Sequence, residues 1–378
     1  MLSDLSRMLT AGAGTAERSF DRLRFEAKRR LGLLDPFEIL PYRGHGTPRE
    51  LFLKGRVLEE RGITRSGQYT TAWGNLRNMA RRFASDEVPH ARVRASFGNL
   101  RAETVADEEG FFEVRFGLPE PLTGATRWHP VGLELLHPGS PGGGPVRSTG
   151  QVLVPTGADF GVISDIDDTV VRSRATNVLK MAWIVLLNDA HTRLPFEGVN
   201  AFYEALRRGV EGRAHNPIFY VSSSPWNIYD LLEDFLNVHG VPEGPLFLKD
   251  WSLSVLGKHR THKLGIIRTL LGTYPGLPFV LIGDSGEEDP EIYLQILREH
   301  RGRIRAIYIR DVTTAERDAE VHTIARESAA LGTEMVLVAD TAAAAEHAAS
   351  KSLIRPDAVP DITLASSATT RGRGGSRS

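Results

Sequence analysis

The spacing of hydrophobic and polar residues changes character once along the chain. Between residues 50 and 156, short runs of alternating apolar and polar residues are separated by turn residues, which is typical of antiparallel strands. From residue 160 onward, short continuous apolar runs alternate with longer segments of helical periodicity, as in a parallel sheet covered by helices. The sequence therefore predicts an α/β fold with a parallel sheet, preceded by a β-sandwich-like antiparallel accessory domain.

The same patterns predict individual elements. In the first region the expected strands are residues 51–57, 90–97, 111–116, 131–136 and 151–154, with a helix at 72–83 and a hairpin turn at Asp107–Gly110. In the second region the expected strands are 160–164, 218–222, 279–283, 304–309 and 334–338. The helices expected there are 177–188, 199–208, 226–239, 259–271, 290–300 and 315–330.

Four segments follow from this patterning. They are a basic amphipathic helix within residues 1–35, the β-rich accessory domain at 45–157, the α/β domain at 158–352 and a disordered tail at 353–378. For the basic helix, packing on its own domain is favoured over contact with a membrane surface. The tail is assigned because its end, rich in Ser, Thr, Gly and Arg, lacks the apolar content to fold.

Composition excludes several classes of function. The chain has no cysteine, which rules out disulfides, thiolate zinc sites and a cysteine nucleophile. Its net charge of -1 gives no overall field that would attract nucleic acid. Asp4 and Arg7 interrupt the apolar N-terminus, and the longest strongly apolar run, 181–187, is too short to span a bilayer. We expect a cytoplasmic protein, either soluble or peripheral to the inner face of the membrane, and the sequence indicates no oligomeric state.

The first chemical motif is Asp165-Ile166-Asp167-Asp168-Thr169, directly after a predicted strand. Asp165 would attack phosphorus as a carboxylate, and Asp167 would protonate the leaving alkoxide and later deprotonate water. Thr169 lies in the turn that follows and is a further candidate for substrate contact. A calcium-binding EF-hand loop is excluded because its sixth position is Val170 and its twelfth is Thr176. Acidic turns after strands are common, so this motif does not decide the function alone.

The second motif is the strand end Val221-Ser222-Ser223-Ser224 before a predicted helix. Hydroxyls and backbone N–H groups at a helix N-terminus can bind a phosphate, and we assign Ser222, with Ser223 beside it, to that contact. The competing interpretation is that these serines only cap the helix. A serine-hydrolase site is disfavoured because the glycines that flank such a nucleophile are missing.

The third motif is the cationic run from Gly257 to Gly265. A lysine here would neutralise the nucleophile and the transferred phosphoryl group; Lys263 is preferred and Lys258 is the alternative. The run is not a nucleotide-binding P-loop, because Ser252 occupies the position of the required first glycine. Taken alone, it would be interpreted as a solvated basic helix start.

The fourth motif is an apolar strand that ends in Gly283-Asp284, with Asp289 five residues later. This layout suits Mg²⁺, which takes one or two protein carboxylates together with waters and substrate oxygens. An acidic turn in which Asp289 and Glu291 only stabilise a helix N-terminus would have the same sequence.

In this order, the four motifs resemble the haloacid dehalogenase superfamily of phosphatases. Over roughly residues 155–340 they more closely resemble the actin-patch-protein type of phosphatidate phosphatase domain, which is related to the lipin catalytic domain. The resemblance implies a Rossmann-like three-layer fold, Asp165 as nucleophile and Asp167 as acid/base. It also implies that Ser222 and Lys263 contact the phosphate. The Mg²⁺ site that it implies is made by Asp165, Asp167, Asp284 and Asp289.

The substrate is indicated less directly. Residues 178–187 are apolar nearly all round a predicted helix, which is either buried against the sheet, the favoured alternative, or in contact with a membrane or acyl chain. His191 or Arg193 could contact the headgroup of a lipid substrate, and Arg193 is the candidate chosen for this contact.

Three functions follow from these motifs. The favoured one is magnesium-dependent hydrolysis of phosphatidate to diacylglycerol. The alternatives are hydrolysis of a soluble phosphomonoester and a non-catalytic phosphate- or lipid-binding adaptor. The adaptor is disfavoured because Asp165 and Asp167 are both present.

Overall fold

The computed structural model describes residue 31 and residues 34–59, 87–141, 143–166, 198–249, 259–313 and 315–371. These residues form two compact units, one made of residues up to Val154 and one made of residues from Pro155 onward. The helices predicted at 72–83 and 177–188 lie outside the described residues. So does the basic helix predicted within residues 1–35, apart from Leu31, Leu34 and Asp35. Among the described helices, none combines the length and apolar content needed to cross a bilayer.

The first unit is built on one eight-stranded sheet. Its strands are β1 (Phe37–Pro41), β2 (Gly44–Thr47), β3 (Glu50–Glu59), β4 (Arg92–Phe97), β5 (Leu100–Val105), β6 (Phe111–Gly117), β7 (Trp128–His137) and β8 (Arg147–Leu153). They run in the order β1-β3-β2-β8-β7-β4-β5, with β6 paired to β3. Every pair is antiparallel except β2 with β8, so the antiparallel sheet predicted for this region is confirmed. Alternate apolar side chains from these strands share one buried core.

The hairpin predicted at Asp107–Gly110 is wrong, although the turn itself is present. The N–H of Asp107 donates to the carbonyl of Phe111 at 2.8 Å, and the Asp107 side chain accepts the N–H groups of Glu109 and Phe111, both at 2.9 Å. The flanking strands nevertheless pair elsewhere, β5 with β4 and β6 with β3. Turn chemistry fixes the local reversal of the chain, whereas the burial of Phe112 and Val114 decides which strand β6 joins.

The second unit contains a six-stranded sheet in which every described pair is parallel. Its strands are β9 (Gly161–Asp165), β10 (Ile218–Pro225), β11 (Leu246–Lys249), β12 (Phe279–Asp284), β13 (Ile304–Arg310) and β14 (Met335–Val338), in the order β11-β10-β9-β12-β13-β14. The predicted parallel sheet is confirmed. The sequence missed β11 because its four residues are too few to show a periodicity.

Helices cover this sheet on both faces. They are α1 (Val199–Arg208), α2 (Tyr229–Val238), α3 (His259–Thr273), α4 (Asp289–Glu299), α5 (Ala315–Ala330), α6 (Thr341–Ser350) and α7 (Val359–Arg371). Ser164 contacts Tyr203 of α1, whereas the next residue, Asp165, contacts Lys263 of α3. Because adjacent side chains of a strand point to opposite faces of the sheet, α1 and α3 lie on opposite sides of it.

The expected disordered tail from residue 353 is wrong as far as residue 371. Leu353, Ile354 and Ile362 are buried, and α7 packs against α6 and α1. Gly198, at φ 81, lies at the start of α1, and an added Cβ there would meet the Ser366 Oγ at 2.7 Å. A few well-placed apolar residues therefore fold a segment whose average composition is that of a flexible tail. Residues 372–378 lie outside the described part of the chain.

Candidate active site

Three neighbouring strands deliver the candidate residues to one edge of the parallel sheet. β9 ends at Asp165 between β10 and β12, and both neighbours run parallel to it. Val221 of β10 is the register partner of Asp165, and β12 ends at Asp284. The carboxyl ends of parallel strands meet at the same edge, which is where open α/β sheets bind ligands.

Three carboxylates converge at this edge. One oxygen each from Asp165, Asp284 and Asp289 lies within 4.8 Å of the others. Asp284 accepts the backbone N–H groups of Gly286 at 2.7 Å and Glu287 at 3.0 Å, which fixes the orientation of its carboxylate. Asp289, the first residue of α4, accepts the N–H of Asp284 at 3.2 Å. The loop between β12 and α4 is therefore organised around its own acidic side chains.

Lys263 supplies a positive charge to the cluster. Its Nζ lies 2.6 Å from the Asp289 Oδ1 and 3.1 Å from both the Asp165 Oδ1 and the Glu287 Oε2. The Lys263 side chain is 3% exposed and that of Asp289 is fully buried. One ammonium among four carboxylates leaves an excess of negative charge in a mostly buried site, which is the chemistry that binds a divalent cation.

The protonation of Asp289 reflects these opposing effects. Burial raises the pKa of Asp289 above its usual value, and the ammonium of Lys263 opposes that rise. The nearby negative charge of Asp284 adds to the increase in the pKa. A cation placed among these carboxylates would favour their ionised forms.

Gly283 allows Asp289 to approach the end of β12. A Cβ at this position would lie 2.2 Å from the Asp289 Oδ2 and 2.7 Å from its Cγ, so only glycine leaves room for this carboxylate. Below it, the buried hydroxyl of Tyr293 donates to the carbonyl of Ile282 at 2.8 Å and ties α4 to β12. Burial raises the pKa of Tyr293, and the Asp289 charge adds to the effect, so the phenol stays protonated and can donate.

A hydroxyl pair supports the end of β9 from the opposite face. Ser164 Oγ lies 2.6 Å from the hydroxyl of Tyr203, and both side chains are buried. Burial raises the pKa of Tyr203 to about 12, although the hydrogen bond with Ser164 opposes the increase. This contact joins α1 to the strand that carries Asp165.

Arg317 of α5 holds the acidic loop from outside. Its guanidinium donates to the carbonyl oxygens of Ser285 at 3.1 Å and Glu287 at 3.0 Å. It also donates to both carboxylate oxygens of Glu291, at 2.6 and 2.9 Å, which fixes the first turn of α4. The hydrogen bonds with Glu291 raise the pKa of Arg317, so the guanidinium remains charged.

Ser222 and Ser223 lie at the end of β10, beyond the register partner of Asp165. Ser222 is buried, and its Oγ accepts the N–H of Ser224 at 2.9 Å. The short 3-10 helix at Trp226–Ile228 has no side-chain cap, because Pro225 stands at its N-cap position. Ser222 therefore stabilises the irregular last part of β10, where the register with β11 shifts, and does not cap that helix.

The other candidate residues lie outside the described part of the chain, namely Asp167, Thr169, Arg193 and Lys258. Sequence reasoning missed four contributors to this site: Tyr203, Gly283, Glu287 and Arg317. Glu287 and Gly283 stand within the fourth motif but were not distinguished from its other polar and glycine residues. Tyr203 and Arg317 are distant in sequence from the segments that they support, so no local pattern marks them.

Comparison with known proteins finds similarity to one domain family over the residues that carry this site. Residues 160–311 match the family model described as "Phosphatidate phosphatase APP1, catalytic domain". The chain is 32% identical to the phosphatidate phosphatase APP1 of Saccharomyces cerevisiae over 168 residues, which cover 43% of this chain and 28% of the yeast protein. It is 28% identical to an uncharacterized protein of Schizosaccharomyces pombe over 156 residues, which cover 40% of this chain and 25% of that protein.

These similarities concern one part of each protein. The chain spans about a quarter of the length of the two yeast relatives. Among solved structures, a carbohydrate acetylesterase from Xanthomonas citri aligns with a TM-score of 0.26 and 14% identity, covering 76% of this chain and 72% of that one. That score is too low to support an argument about fold or function.

Proposed function

We propose that this protein hydrolyses phosphatidate to diacylglycerol and phosphate, because residues 160–311 match the family model of the phosphatidate phosphatase APP1 catalytic domain, in agreement with the resemblance of the motifs. The observation that carries the proposal is the contact of Lys263 with Asp165 and Asp289 at the carboxyl edge of the sheet. The parallel sheet with β9 at its centre and helices on both faces supports a Rossmann-like, haloacid-dehalogenase type of domain.

The residues at this edge suit magnesium as the cofactor. Asp165, Asp284 and Asp289 offer carboxylate oxygens, the ligands that Mg²⁺ prefers, and their oxygens lie within 4.8 Å of one another. Asp167 is a further candidate ligand. When bound, the ion would reduce the negative charge on the phosphoryl oxygens and on the attacking carboxylate.

Asp165 would act as the nucleophile. Its carboxylate oxygen forms a bond to phosphorus while the bond from phosphorus to the diacylglycerol oxygen breaks. Asp167 protonates that departing oxygen, then removes a proton from the water that attacks the phosphorylated aspartate. The second displacement releases inorganic phosphate and restores the Asp165 carboxylate.

Lys263 and Ser222 would bind the phosphoryl group during both displacements. Lys263 is fixed by buried partners, so it provides positive charge without reorganisation as negative charge moves onto the leaving group. Ser223 and Thr169 are further candidates for phosphate contact, Lys258 is the alternative cation, and Arg193 is the candidate for headgroup recognition. Variants of the residues proposed for the chemical steps should lose turnover, and variants of the residues proposed only for binding should lose substrate affinity.

The test is release of phosphate from phosphatidate presented in liposomes with Mg²⁺, with glycerol 3-phosphate and p-nitrophenyl phosphate as soluble substrates. We expect Asp165→Asn to reduce the rate by about a thousandfold or more. Asp361→Asn, which makes the same change at an exposed site on α7, should retain the wild-type rate. Higher catalytic efficiency on a soluble substrate would favour the phosphomonoester alternative, and no release from any of them would refute the proposed activity.

A further inference from the structure

Glu287 is the most exposed of the carboxylates that contact Lys263. Its side chain is 38% exposed, whereas those of Asp165 and Asp289 are 2% and 0% exposed. Its Oε2 lies 3.1 Å from the Lys263 Nζ, the same distance as the Asp165 Oδ1. Glu287 therefore reaches Lys263 from the side of the site that is open to solvent.

The bonding capacity of Lys263 makes this contact significant. An ammonium group has three N–H donors, and three carboxylates surround the Nζ of Lys263. Nζ donates hydrogen bonds to Asp289 at 2.6 Å and to Glu287 at 3.1 Å and forms an ion pair with Asp165 at 3.1 Å, so a phosphoryl oxygen that approaches Nζ competes with these carboxylates. Asp165 and Asp289 are buried, so their withdrawal would leave unpaired charge in the interior, whereas Glu287 can turn into water.

From this geometry we propose that Glu287 occupies the position of a phosphoryl oxygen on Lys263 before substrate binds, and that the phosphate group of the substrate displaces it. Glu287 is thus a built-in competitor that lowers the affinity of the site for phosphate and for phosphomonoesters. The proposal rests on the proposed function, since it assigns to Lys263 the role of phosphate contact.

The main chain around Glu287 allows the side chain to move alone. Its N–H donates to the Asp284 Oδ1 at 3.0 Å, and its carbonyl accepts from Arg317 at 3.0 Å. Displacement by phosphate therefore requires rotation of the side chain and leaves the acidic loop in place. Such rotation is fast compared with typical enzyme turnover.

The experiment compares Glu287→Ala and Glu287→Gln with wild type in the full chain with Mg²⁺. Binding of inorganic phosphate is measured by titration calorimetry, and KM and kcat are measured for the same proteins. We expect Glu287→Ala to lower the dissociation constant for phosphate and the KM by about fivefold, as fits a partly exposed ion pair. Glu287→Gln should give a smaller decrease, because its amide oxygen can still accept from Lys263.

Glu288→Gln is the matched control, since Glu288 is an exposed neighbour in the same loop. It removes the same charge, but Glu288 is not among the carboxylates that contact Lys263, so the phosphate affinity of this variant should stay within about twofold of wild type. Weaker phosphate binding in both Glu287 variants, or no change in either, would overturn the inference. If Glu288→Gln raises the affinity for phosphate as much as the Glu287 variants do, the gain comes from the loss of a negative charge near the site, and the displacement by phosphate is refuted.

The same data separate this inference from the proposed function. If the wild type releases no phosphate from any substrate, the proposed phosphatase activity is refuted. If the Glu287 variants nevertheless bind inorganic phosphate more tightly than the wild type, the displacement is retained. If the wild type is active but its Glu287 variants show no gain in phosphate affinity, the phosphatase activity is supported and the displacement is refuted. Absence of phosphate binding in both the wild type and the Glu287 variants would overturn the displacement, and it would leave the proposed function to be judged by phosphate release alone.

Discussion

Replacing Gly283 with alanine tests how closely the strand end and the Asp289 carboxylate must approach. The new Cβ would lie 2.2 Å from the Asp289 Oδ2, so the carboxylate would have to move by roughly 1 Å to reach an ordinary contact. That shift would strain the 2.6 Å contact with Lys263 and the 3.2 Å hydrogen bond from the N–H of Asp284.

The size of the effect follows from these two contacts. Overpacking a well-ordered interior costs about 1–3 kcal/mol, and separating a buried ion pair costs more, about 3–5 kcal/mol. Because the pair would be displaced and not removed, we expect Gly283→Ala to lower the free energy of unfolding by about 2–4 kcal/mol. A displacement of roughly 1 Å within a catalytic site should also reduce kcat/KM by about a hundredfold.

Urea unfolding followed by circular dichroism measures the first effect, and phosphate release with Mg²⁺ measures the second. Gly265→Ala is the control, since Gly265 lies on the exposed side of α3 and its new Cβ would meet no atom within 4 Å. That change should stabilise the helix by up to about 1 kcal/mol. If Gly283→Ala loses less than about 1 kcal/mol and keeps its activity within threefold, the close approach described here is wrong.

Two further variants test the supports of the site. Arg317→Ala removes the hydrogen bonds that hold the acidic loop, so Mg²⁺ affinity measured by calorimetry should fall by about tenfold. The control is Arg298→Ala, which breaks an exposed ion pair with Glu327 and should leave the Mg²⁺ affinity unchanged. Tyr203→Phe removes the bond to Ser164 and should lower the free energy of unfolding by about 1 kcal/mol in urea titrations, with kcat reduced less than tenfold; a neutral result would show that this hydroxyl pair does not support β9.

The fold of the second unit could be predicted from sequence wherever each segment carried its own periodicity. Helices α1 and α5 have the predicted bounds, and β10, β12 and β13 begin at the predicted residues. The prediction failed where structure depends on partners distant in sequence. The short strand β11 and helix α7 have too few apolar residues to produce a pattern, and they are ordered by the surfaces against which they pack.

The candidate site shows the same division. Asp165, Lys263, Asp284 and Asp289 stand out because a charged residue ends an apolar strand or lies near the start of a helix. Arg317 and Tyr203 resemble ordinary helical residues in sequence, and only the topology of the sheet brings them to the site. Glu287 could not be separated from Glu288, because adjacent acidic residues differ in role only through the direction in which the loop presents them.

The central position of β9 in the parallel sheet has a consequence for folding. This strand comes first in the unit, yet its neighbours β10 and β12 are made much later along the chain. The site therefore closes only after the chain has been synthesised as far as Asp289, because Lys263, Asp284 and Asp289 all follow Asp165 in the sequence. Such long-range closure slows folding. It also means that a fragment ending at Lys249 would contain Asp165, the proposed nucleophile, without the rest of the site, so enzymatic activity would report complete assembly of the sheet.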